Sequence, residues 1–267
     1  MVAHANAEPA SAARPRESLF WTLFTWSMVV VLLGTGATLA VTVGGLARLL
    51  GDRWGRVAHV LITLAYRGLV YLHPRYRFTM TGIESLPRGP AVFCPNHQSL
   101  SDVVYLFALP VAYKWVIKRE LFRVPLFGHA MMVARYPAID RGDADSALAL
   151  LDQVSRLLAE GIPVLTFPEG TRSANCELGR FHSGPARVAI HNQVPLVPVG
   201  VVGTGDVLPR GSNRYPARAH ISIHVGEPIA TTGRTLRDAR ALTRELRAAV
   251  AAAKGAAARA IDAPSAL

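Results

Sequence analysis

The longest uncharged run of the chain, from Ser18 to Ala47, limits most strongly where the polypeptide can fold. About 20 apolar residues are enough to cross the hydrocarbon core of a bilayer, and this run is longer. The apolar region of a cleaved signal peptide has roughly 7–15 residues, which this run also exceeds. We therefore expect a membrane-anchoring helix, which either crosses the bilayer or re-enters it at the Gly34–Thr35–Gly36 break.

A second apolar segment follows, in which arginines from Arg53 to Arg67 interrupt a hydrophobic stripe. This pattern is typical of an amphipathic helix in the membrane interface, and a core helix of the globular part fits it as well. More arginines follow the uncharged run than precede it, so the positive-inside rule places the rest of the chain in the cytoplasm. The sequence thus predicts a membrane-anchoring segment at 18–74, after a disordered tail at 1–17.

The composition indicates a protein that binds an anionic surface or an anionic ligand. Hydrophobic residues make up 51% of the 267, and the formal net charge is +11, which suits anionic lipid or anionic ligands. The sequence has no basic run interleaved with aromatic residues and no zinc-finger spacing, so we expect no nucleic-acid partner. Two cysteines, Cys94 and Cys176, fit a reducing compartment, and the scattered histidines predict no metal site.

From about residue 75 onward, short apolar runs alternate with helical patterns. The runs that are typical of strands are YRFTMTG, AVFC, KWVIK, PVLTF, LVPVGVV and HISIHV. The clearest helical pattern runs from Asp143 to Glu160, and an Ala- and Arg-rich helix is expected over about 235–254. The alternation predicts an α/β fold over 75–254, a mixed sheet flanked by helices, with a C-terminal tail at 255–267.

The polar stretch NHQSLSD, at 96–102, lies where one predicted strand ends and a helix begins. On a continuous helix His97 and Asp102 would project about 140° apart, so they meet only if the chain turns between them. Ser99 or Ser101 at the helix N-cap would permit that turn. A carboxylate bonded to one ring nitrogen leaves the other as a base for an alcohol proton. A capped loop with a solvated histidine explains the same residues.

A second polar stretch, FPEGTRS, follows the predicted strand PVLTF. Gly170 permits a close approach of the backbone to a ligand, and the N–H of Thr171 can join a small anion-binding nest. Arg172 offers a planar fork that suits phosphate, and Arg141 ends another short apolar run in YPAIDRGD. An ordinary loop with a surface arginine, or a surface ion pair of Arg141 with a neighbouring aspartate, accounts for these residues too.

NHQSLSD, YPAIDR, FPEGTRS and VPLVPV occur in this order and together resemble the four sequence blocks of the glycerolipid acyltransferase family. The best-known members of that family are the bacterial 1-acylglycerol-3-phosphate acyltransferases (lysophosphatidic acid acyltransferases). The resemblance covers roughly residues 81–229. It implies the glycerolipid acyltransferase fold, with membrane-associated helices before it. The implied reaction transfers an acyl chain to the free sn-2 hydroxyl of 1-acylglycerol-3-phosphate, which forms phosphatidic acid in phospholipid biosynthesis.

The resemblance also implies partners and site residues. The partners are a lysophospholipid, membrane lipids and acyl-CoA or acyl-carrier protein, which is a co-substrate, so no cofactor is expected. The location is the inner (cytoplasmic) membrane, with the catalytic domain facing the cytoplasm. His97 is implied as general base, with Asp102 orienting it and no covalent enzyme intermediate. The residues implied to hold the acceptor phosphate are Lys118, Arg141, Glu169, Gly170, Thr171 and Arg172, with Glu169 orienting an arginine or a glycerol hydroxyl.

The stretch after the third block departs from the family. Relatives usually have a phenylalanine, one or two lysines and a glycine, whereas this chain has His182 and Ser183 in place of the lysines. The acceptor is therefore either lysophosphatidate or another lysolipid, such as a lyso-ornithine lipid or a lyso-glycerophospholipid. Two other classes remain: a membrane-bound hydrolase in which His97 activates water, and a non-catalytic lipid-binding module.

Overall fold

The computed structural model describes residues 18–140, 142–209 and 211–262. The tail predicted at 1–17 and the predicted phosphate ligand Arg141 lie outside the described residues. The chain begins with two long helices, α1 (Leu19–Leu49) and α2 (Arg56–Leu72). Within the described residues, α1 is the one helix that is long and apolar enough to cross a membrane, judged by length and composition.

Helices α1 and α2 form a closely packed hairpin. A Cβ atom added at Gly36 would lie 2.4 Å from the Cβ of Ala65, and one added at Gly44 would lie 2.6 Å from the Cβ of Ala58. These glycines therefore allow the two helix backbones to approach each other. The sequence left open a re-entrant break at Gly34–Gly36. The structure has no break there: α1 continues through these residues as one helix, and its small residues serve helix packing.

The amino-terminal part of α1 is tied to a distant loop. Thr22 Oγ1 donates to the carbonyl of Tyr215 at 3.2 Å and accepts from its N–H at 3.0 Å. Trp26 Nε1 donates to the carbonyl of Asn213 at 2.9 Å. These bonds join α1 to the globular domain at the end away from the α1–α2 turn. Helix α1 therefore contacts the rest of the protein along its length, while many of its large apolar side chains stay exposed.

Helix α2 has two unlike faces. One face buries Ile62, Tyr66 and Val70 in the core, and Arg67 donates from Nε to the carbonyl of Phe107 at 3.1 Å. The opposite face exposes Leu64, among other large apolar side chains. The core-helix interpretation of the sequence therefore applies to one face, and an apolar surface remains on the other.

Short strands and helices alternate after the hairpin. The strands are β1 (Tyr76–Thr81), β2 (Val92–Pro95), β3 (Lys114–Trp115), β4 (Ile117–Lys118), β5 (Ala138–Ile139), β6 (Val164–Leu165), β7 (Leu196–Val202) and β8 (Ala219–Val225). The α-helices are α3 (Ser101–Leu106), α4 (Phe127–Val133), α5 (Ala144–Ala159), α6 (Gly184–Asn192), α7 (Thr204–Val207) and α8 (Ala239–Asp262). Short 3₁₀ turns cover Ile83–Ser85, Arg119–Arg123 and Leu236–Asp238.

The main sheet has six strands in the order β1-β8-β7-β2-β6-β3. Its pairs are parallel except for β7 with β8, so the predicted mixed α/β sheet is confirmed. Strand β2 lies between β7 and β6, and the NHQSLSD loop leaves its carboxyl end. Ligand sites of open α/β sheets usually lie at the carboxyl ends of the strands.

Two elements differ from the sequence prediction. The single strand expected over KWVIK is divided: β3 pairs with β6 in the main sheet, and β4 pairs with β5 in a separate two-stranded sheet. The last helix, α8, continues to Asp262 and so includes residues that the sequence assigns to a tail. It continues because its apolar face does: Leu246, Val250 and Ala257 are all buried.

A buried polar cluster joins the hairpin to the domain. Lys114 is only 2% exposed, and its Nζ donates to the carbonyls of Ala134 at 2.7 Å and of Gly55 at 3.3 Å. Its charge lies 5.2 Å from the ring centroid of Tyr136, whose hydroxyl is 2.7 Å from His59 Nδ1. Burial lowers the pKa of Lys114 to about 7. The α1–α2 turn is thus held by a cation for which no carboxylate supplies a hydrogen bond among the described residues.

Candidate active site

The structure brings His97 and Asp102 together. His97 lies in the loop after β2 and Asp102 in the first turn of α3, with His97 Nδ1 2.7 Å from Asp102 Oδ2. The same carboxylate oxygen accepts from the backbone N–H groups of Gln98 at 2.7 Å and Ser99 at 3.0 Å. The chain turns tightly around this one oxygen, which is how two residues five positions apart meet.

Ser99 and Ser101 do not cap helix α3 as the sequence predicts. Helix α3 begins after Leu100, and neither Ser99 nor Ser101 caps it through its side chain. Ser99 Oγ instead accepts from the N–H of Ser101 at 3.1 Å and donates to the carbonyl of Leu208 at 2.7 Å. The Asp102 carboxylate reaches back from the helix and accepts from two N–H groups of the preceding loop, which fixes the turn into α3.

The His97 ring is fixed in position and orientation. Asp102 is 0% exposed and His97 8% exposed, and the ring of Phe167 stacks on the imidazole with centroids 3.8 Å apart and planes 20° apart. Among the described residues Asp102 Oδ1 has no hydrogen-bond partner, which leaves part of the carboxylate charge to stabilise a protonated imidazole. With Nδ1–H donated to Asp102, Nε2 keeps its lone pair and can act as a base.

Glu169 links the two polar stretches. Its side chain is almost fully buried, and its oxygens accept from the N–H of His97 at 2.9 Å and from the N–H of Gly179 at 3.0 Å. The N–H of Ser173 also donates to the carbonyl of His97 at 2.8 Å. Among the described residues, each Glu169 oxygen accepts from one backbone N–H group, and the expectation that Glu169 orients an arginine or a glycerol hydroxyl stays a prediction. Glu169 positions the loop that carries His97.

The remaining residues of FPEGTRS lie at the rim of the site. Gly170 has φ +67°, a left-handed conformation that favours glycine. Thr171 is exposed and Arg172 partly exposed. Within the described part of the chain, no hydrogen bond or ion pair of the Arg172 guanidinium is found. Arg172 is therefore available to an anionic ligand.

The structure places Lys118 on the small sheet. Lys118 ends β4 opposite Ile139 of β5, which leads directly to Asp140 and then to Arg141. Lys118 therefore lies at the carboxyl end of the small sheet, and the predicted role of Arg141 concerns a residue outside the described part of the chain. Lys118 Nζ is 2.7 Å from Glu120, and Asp140 pairs with Arg119. Lys118 is thus a partly exposed lysine with a surface partner, and its role at the acceptor phosphate stays a prediction.

His182, where the sequence departs from the usual acyltransferase pattern, lies directly against the FPEGTRS loop. The N–H of His182 donates to the carbonyl of Pro168 at 2.8 Å. A Cβ atom added at Gly170 would lie 3.2 Å from the His182 ring. The side chain that stands where relatives have lysine therefore contacts the glycine of the predicted phosphate loop.

Two further observations bear on the chemistry. Cys94 is fully buried, and burial raises the pKa of its thiol, so it is a core thiol rather than a nucleophile. Among the described residues, no three His, Cys, Asp or Glu side chains come together as metal ligands would.

Sequence reasoning missed Phe167 as the residue that stacks on His97. Its position within FPEGTRS was the only available signal.

Known proteins resemble the chain in sequence and in fold. Residues 77–202 match the model of the family described as Acyltransferase. A 1-acyl-sn-glycerol-3-phosphate acyltransferase of Chlamydomonas reinhardtii is 36% identical over 211 residues, which cover 77% of this chain and 62% of that protein. One from Pseudomonas aeruginosa is 34% identical over 149 residues, covering 55% of this chain and 58% of that protein.

The chain thus spans about half to two thirds of the length of the curated relatives it matches. The crystal structure of the 1-acyl-sn-glycerophosphate (LPA) acyltransferase PlsC from Thermotoga maritima superposes with a TM-score of 0.68. The match covers 92% of this chain and 97% of that one at 19% identity, and at that identity it shows the shared fold alone.

Proposed function

Because residues 77–202 match the model of the Acyltransferase family, we propose that the chain is an O-acyltransferase acting on 1-acylglycerol-3-phosphate. It transfers an acyl chain from acyl-CoA or acyl-carrier protein to the free sn-2 hydroxyl and forms phosphatidic acid. The observation that carries this proposal is the 2.7 Å contact between His97 Nδ1 and the fully buried Asp102. It leaves one imidazole nitrogen as a base of fixed direction, which is what removal of an alcohol proton requires.

In the proposed reaction, His97 Nε2 takes the proton of the acceptor hydroxyl as its oxygen attacks the thioester carbonyl. An oxygen–carbon bond forms, the carbon–sulfur bond breaks, and the proton passes from the imidazolium to the departing thiolate. The products are the ester and a free thiol, so atoms and charges balance. Asp102 stays ionised and stabilises the imidazolium between the two proton transfers. Glu169 and Phe167 hold the base in position without contacting the substrate.

We propose that Arg172 and the neighbouring backbone of Gly170 and Thr171 bind the acceptor phosphate. Arg172 has no competing partner among the described residues. The N–H of Gly170 already donates to the carbonyl of Phe167 at 3.1 Å, so the N–H of Thr171 is the backbone donor that we assign to the anion. Lys118 extends this site from the end of the small sheet, and Arg141 is assigned to it by the sequence resemblance alone. Acylation of another lysolipid is the second candidate, since His182 stands against Gly170 where relatives have lysine.

We also propose that the α1–α2 hairpin holds the enzyme on the inner membrane, with the domain on the cytoplasmic side. The exposed large apolar side chains of α1 include Leu23, Val30 and Leu46, a surface that a monomer in water rarely presents. Arg48, Arg53 and Arg56 lie around the α1–α2 turn, in agreement with a cytoplasmic, anionic lipid surface. The contacts of both ends of α1 with the domain favour insertion of its outer face into one leaflet.

The proposal is tested with detergent-purified protein, labelled acyl-CoA or acyl-carrier protein, and a panel of lysolipids. We expect acylation of lysophosphatidate that His97→Ala abolishes, whereas His191→Ala, which removes an exposed histidine on α6, retains activity. If the protein preferred another lysolipid, the proposed acceptor would be wrong, and the proposed reaction, acyl transfer to a hydroxyl, would stand. Free fatty acid released without acceptor would indicate a hydrolase. Equal turnover by His97→Ala and the wild type would refute the catalytic role.

A further inference from the structure

A cleft of about 770 Å³ opens between the loop at 178–183 and helix α8. Its volume lies within the roughly 300–1,000 Å³ that is usual for small-molecule sites. Four arginines line it: Arg180 on the loop, and Arg240, Arg244 and Arg247 on α8. The three on the helix follow at spacings of four and three residues, so they share one helix face. The residues that line the cleft include no Asp or Glu.

The positive charge of the cleft is not balanced nearby. Arg247 donates to the carbonyls of Gly179 at 3.0 Å and Leu178 at 2.9 Å and so fixes the loop wall. Arg180, Arg240 and Arg244 are exposed, and they take part in no ion pair among the described residues. A concave surface lined by charge of one sign concentrates the field and attracts a multiply charged anion.

The carboxylates closest in sequence are already engaged. Glu245 pairs with Arg234 at 2.7 Å, and Asp238 accepts from the N–H of Thr235 at 2.8 Å and from its hydroxyl at 3.0 Å. Glu177, beside the loop wall, accepts from Asn175 Nδ2 at 3.0 Å. None of the three pairs with an arginine of the cleft among the described contacts. The cleft therefore keeps its charge for a ligand.

The cleft shares a wall with the candidate active site. Gly179 lines the cleft, and its N–H donates to the same Glu169 carboxylate that accepts from the N–H of His97. His182 also lines the cleft and contacts Gly170 on the other side. A ligand held in the cleft thus lies one buried side chain away from the loop of the proposed base.

We propose that this arginine cleft binds the nucleotide phosphates of acyl-CoA, an inference that rests on the proposed acyl transfer. The nucleotide of coenzyme A carries a phosphomonoester and a diphosphate, about four negative charges in all, which matches four guanidinium groups. The acceptor phosphate carries about two charges and has its own cations at Arg172 and Lys118. The flexible pantetheine arm lets the phosphates bind apart from the thioester. An acidic carrier protein would instead need a broad face of about 800 Å².

The test compares two double variants of the full chain in detergent. Arg240→Gln/Arg244→Gln removes two charges from the cleft, and Arg237→Gln/Arg259→Gln removes two exposed charges, one just before α8 and one in its last turn, that do not line the cleft. Coenzyme A and 3′-dephospho-coenzyme A are titrated by calorimetry, and the KM values of both substrates are measured. Circular dichroism checks that each variant keeps its fold.

We expect the cleft variant to bind coenzyme A about tenfold or more weakly and to raise the KM for acyl-CoA equally. The control variant and the KM for lysophosphatidate should change by less than about twofold. The wild type should prefer coenzyme A to the dephospho form, and the cleft variant should lose part of that preference. Arginine-dependent binding of coenzyme A would support the cleft even in a protein that transferred no acyl group.

Three results would overturn the inference. Equal weakening in both double variants would assign the effect to overall charge. A raised KM for lysophosphatidate alone would assign the cleft to the acceptor. Turnover with carrier-protein thioester, but no binding of coenzyme A, would leave the acyl transfer standing and remove its nucleotide site.

Discussion

The two halves of the candidate site differ in how firmly the fold holds them. On the base side, one oxygen of Asp102 contacts the His97 ring and two backbone N–H groups, and the carboxylate is wholly buried. On the phosphate side, the Lys118 side chain is 41% exposed and bonded to a surface glutamate, and Arg172 stands partly exposed at the rim. The difference indicates that the base is oriented before substrate binds, whereas the cations adjust to the ligand.

The largest effect expected in the fixed half comes from Asp102→Asn. An amide keeps the shape but loses the charge that holds the imidazole tautomer and stabilises the imidazolium, so kcat should fall by about 10³–10⁴. Steady-state kinetics with acyl donor and lysophosphatidate measure the change, and Asp152→Asn, at an exposed aspartate of α5, is the matched control. A fall of less than tenfold would mean that the pair does not orient the base.

Glu169→Gln should weaken the same half one step further from the reaction. A glutamine can accept from one backbone N–H, but its own NH₂ would face the other donor, so either His97 or Gly179 loses its bond. We expect kcat to fall by about 10–100-fold, with KM values nearly unchanged, as for other supporting residues. The exposed Glu177→Gln is the control. A selective rise in the KM for acceptor would instead place Glu169 in substrate binding.

Arg172→Gln tests the adjustable half. Loss of a charge-assisted contact to the acceptor phosphate should raise the KM for lysophosphatidate by about tenfold and alter kcat much less. Arg187→Gln, at an exposed position of α6, removes the same charge elsewhere. Should kcat fall as steeply as in Asp102→Asn, the distinction between the two halves would fail, because Arg172 would then act on the transition state itself.

The smallest effect concerns two lysines of opposite burial, Lys114 and Lys118. Below about pH 7 the buried Lys114 is charged in both the folded and the unfolded protein, and folding bears the full cost of burying that charge. As pH rises above 7 the folded protein releases this proton first, so stability increases toward pH 10. Lys114→Met should reduce this rise in Tm by a few degrees, and Lys118→Met should leave it unchanged. Parallel pH profiles for wild type and Lys114→Met would contradict this assignment.

Local pattern predicted β2, β6 and β7 well because their apolar runs are almost wholly buried. The same pattern predicted one strand over KWVIK, whereas the structure has β3 and β4. Their pairing partners, β6 and β5, lie far apart in sequence, and the letters of KWVIK do not show that the partner changes. The candidate base followed from NHQSLSD and the family resemblance. The hydrogen-bond partners of Glu169 could not be predicted in this way, because every residue except proline has a backbone N–H and the sequence does not show which of them will be near. The arginine cleft was equally hidden, since Arg180 meets α8 only in the folded chain.

The bonds of Thr22 and Trp26 to the loop that contains Tyr215 have a kinetic consequence. Leu208, earlier in the chain, accepts from Ser99 beside His97, so α1 and the loop of the base both bond to described residues between β7 and β8. With α1 inserted in a leaflet, as we propose, the base stays at one depth and meets its acceptor by lateral diffusion. The rate then follows the mole fraction of lysolipid in the bilayer. Diluting the membrane with inert lipid would slow the enzyme while every bulk concentration of substrate stayed the same.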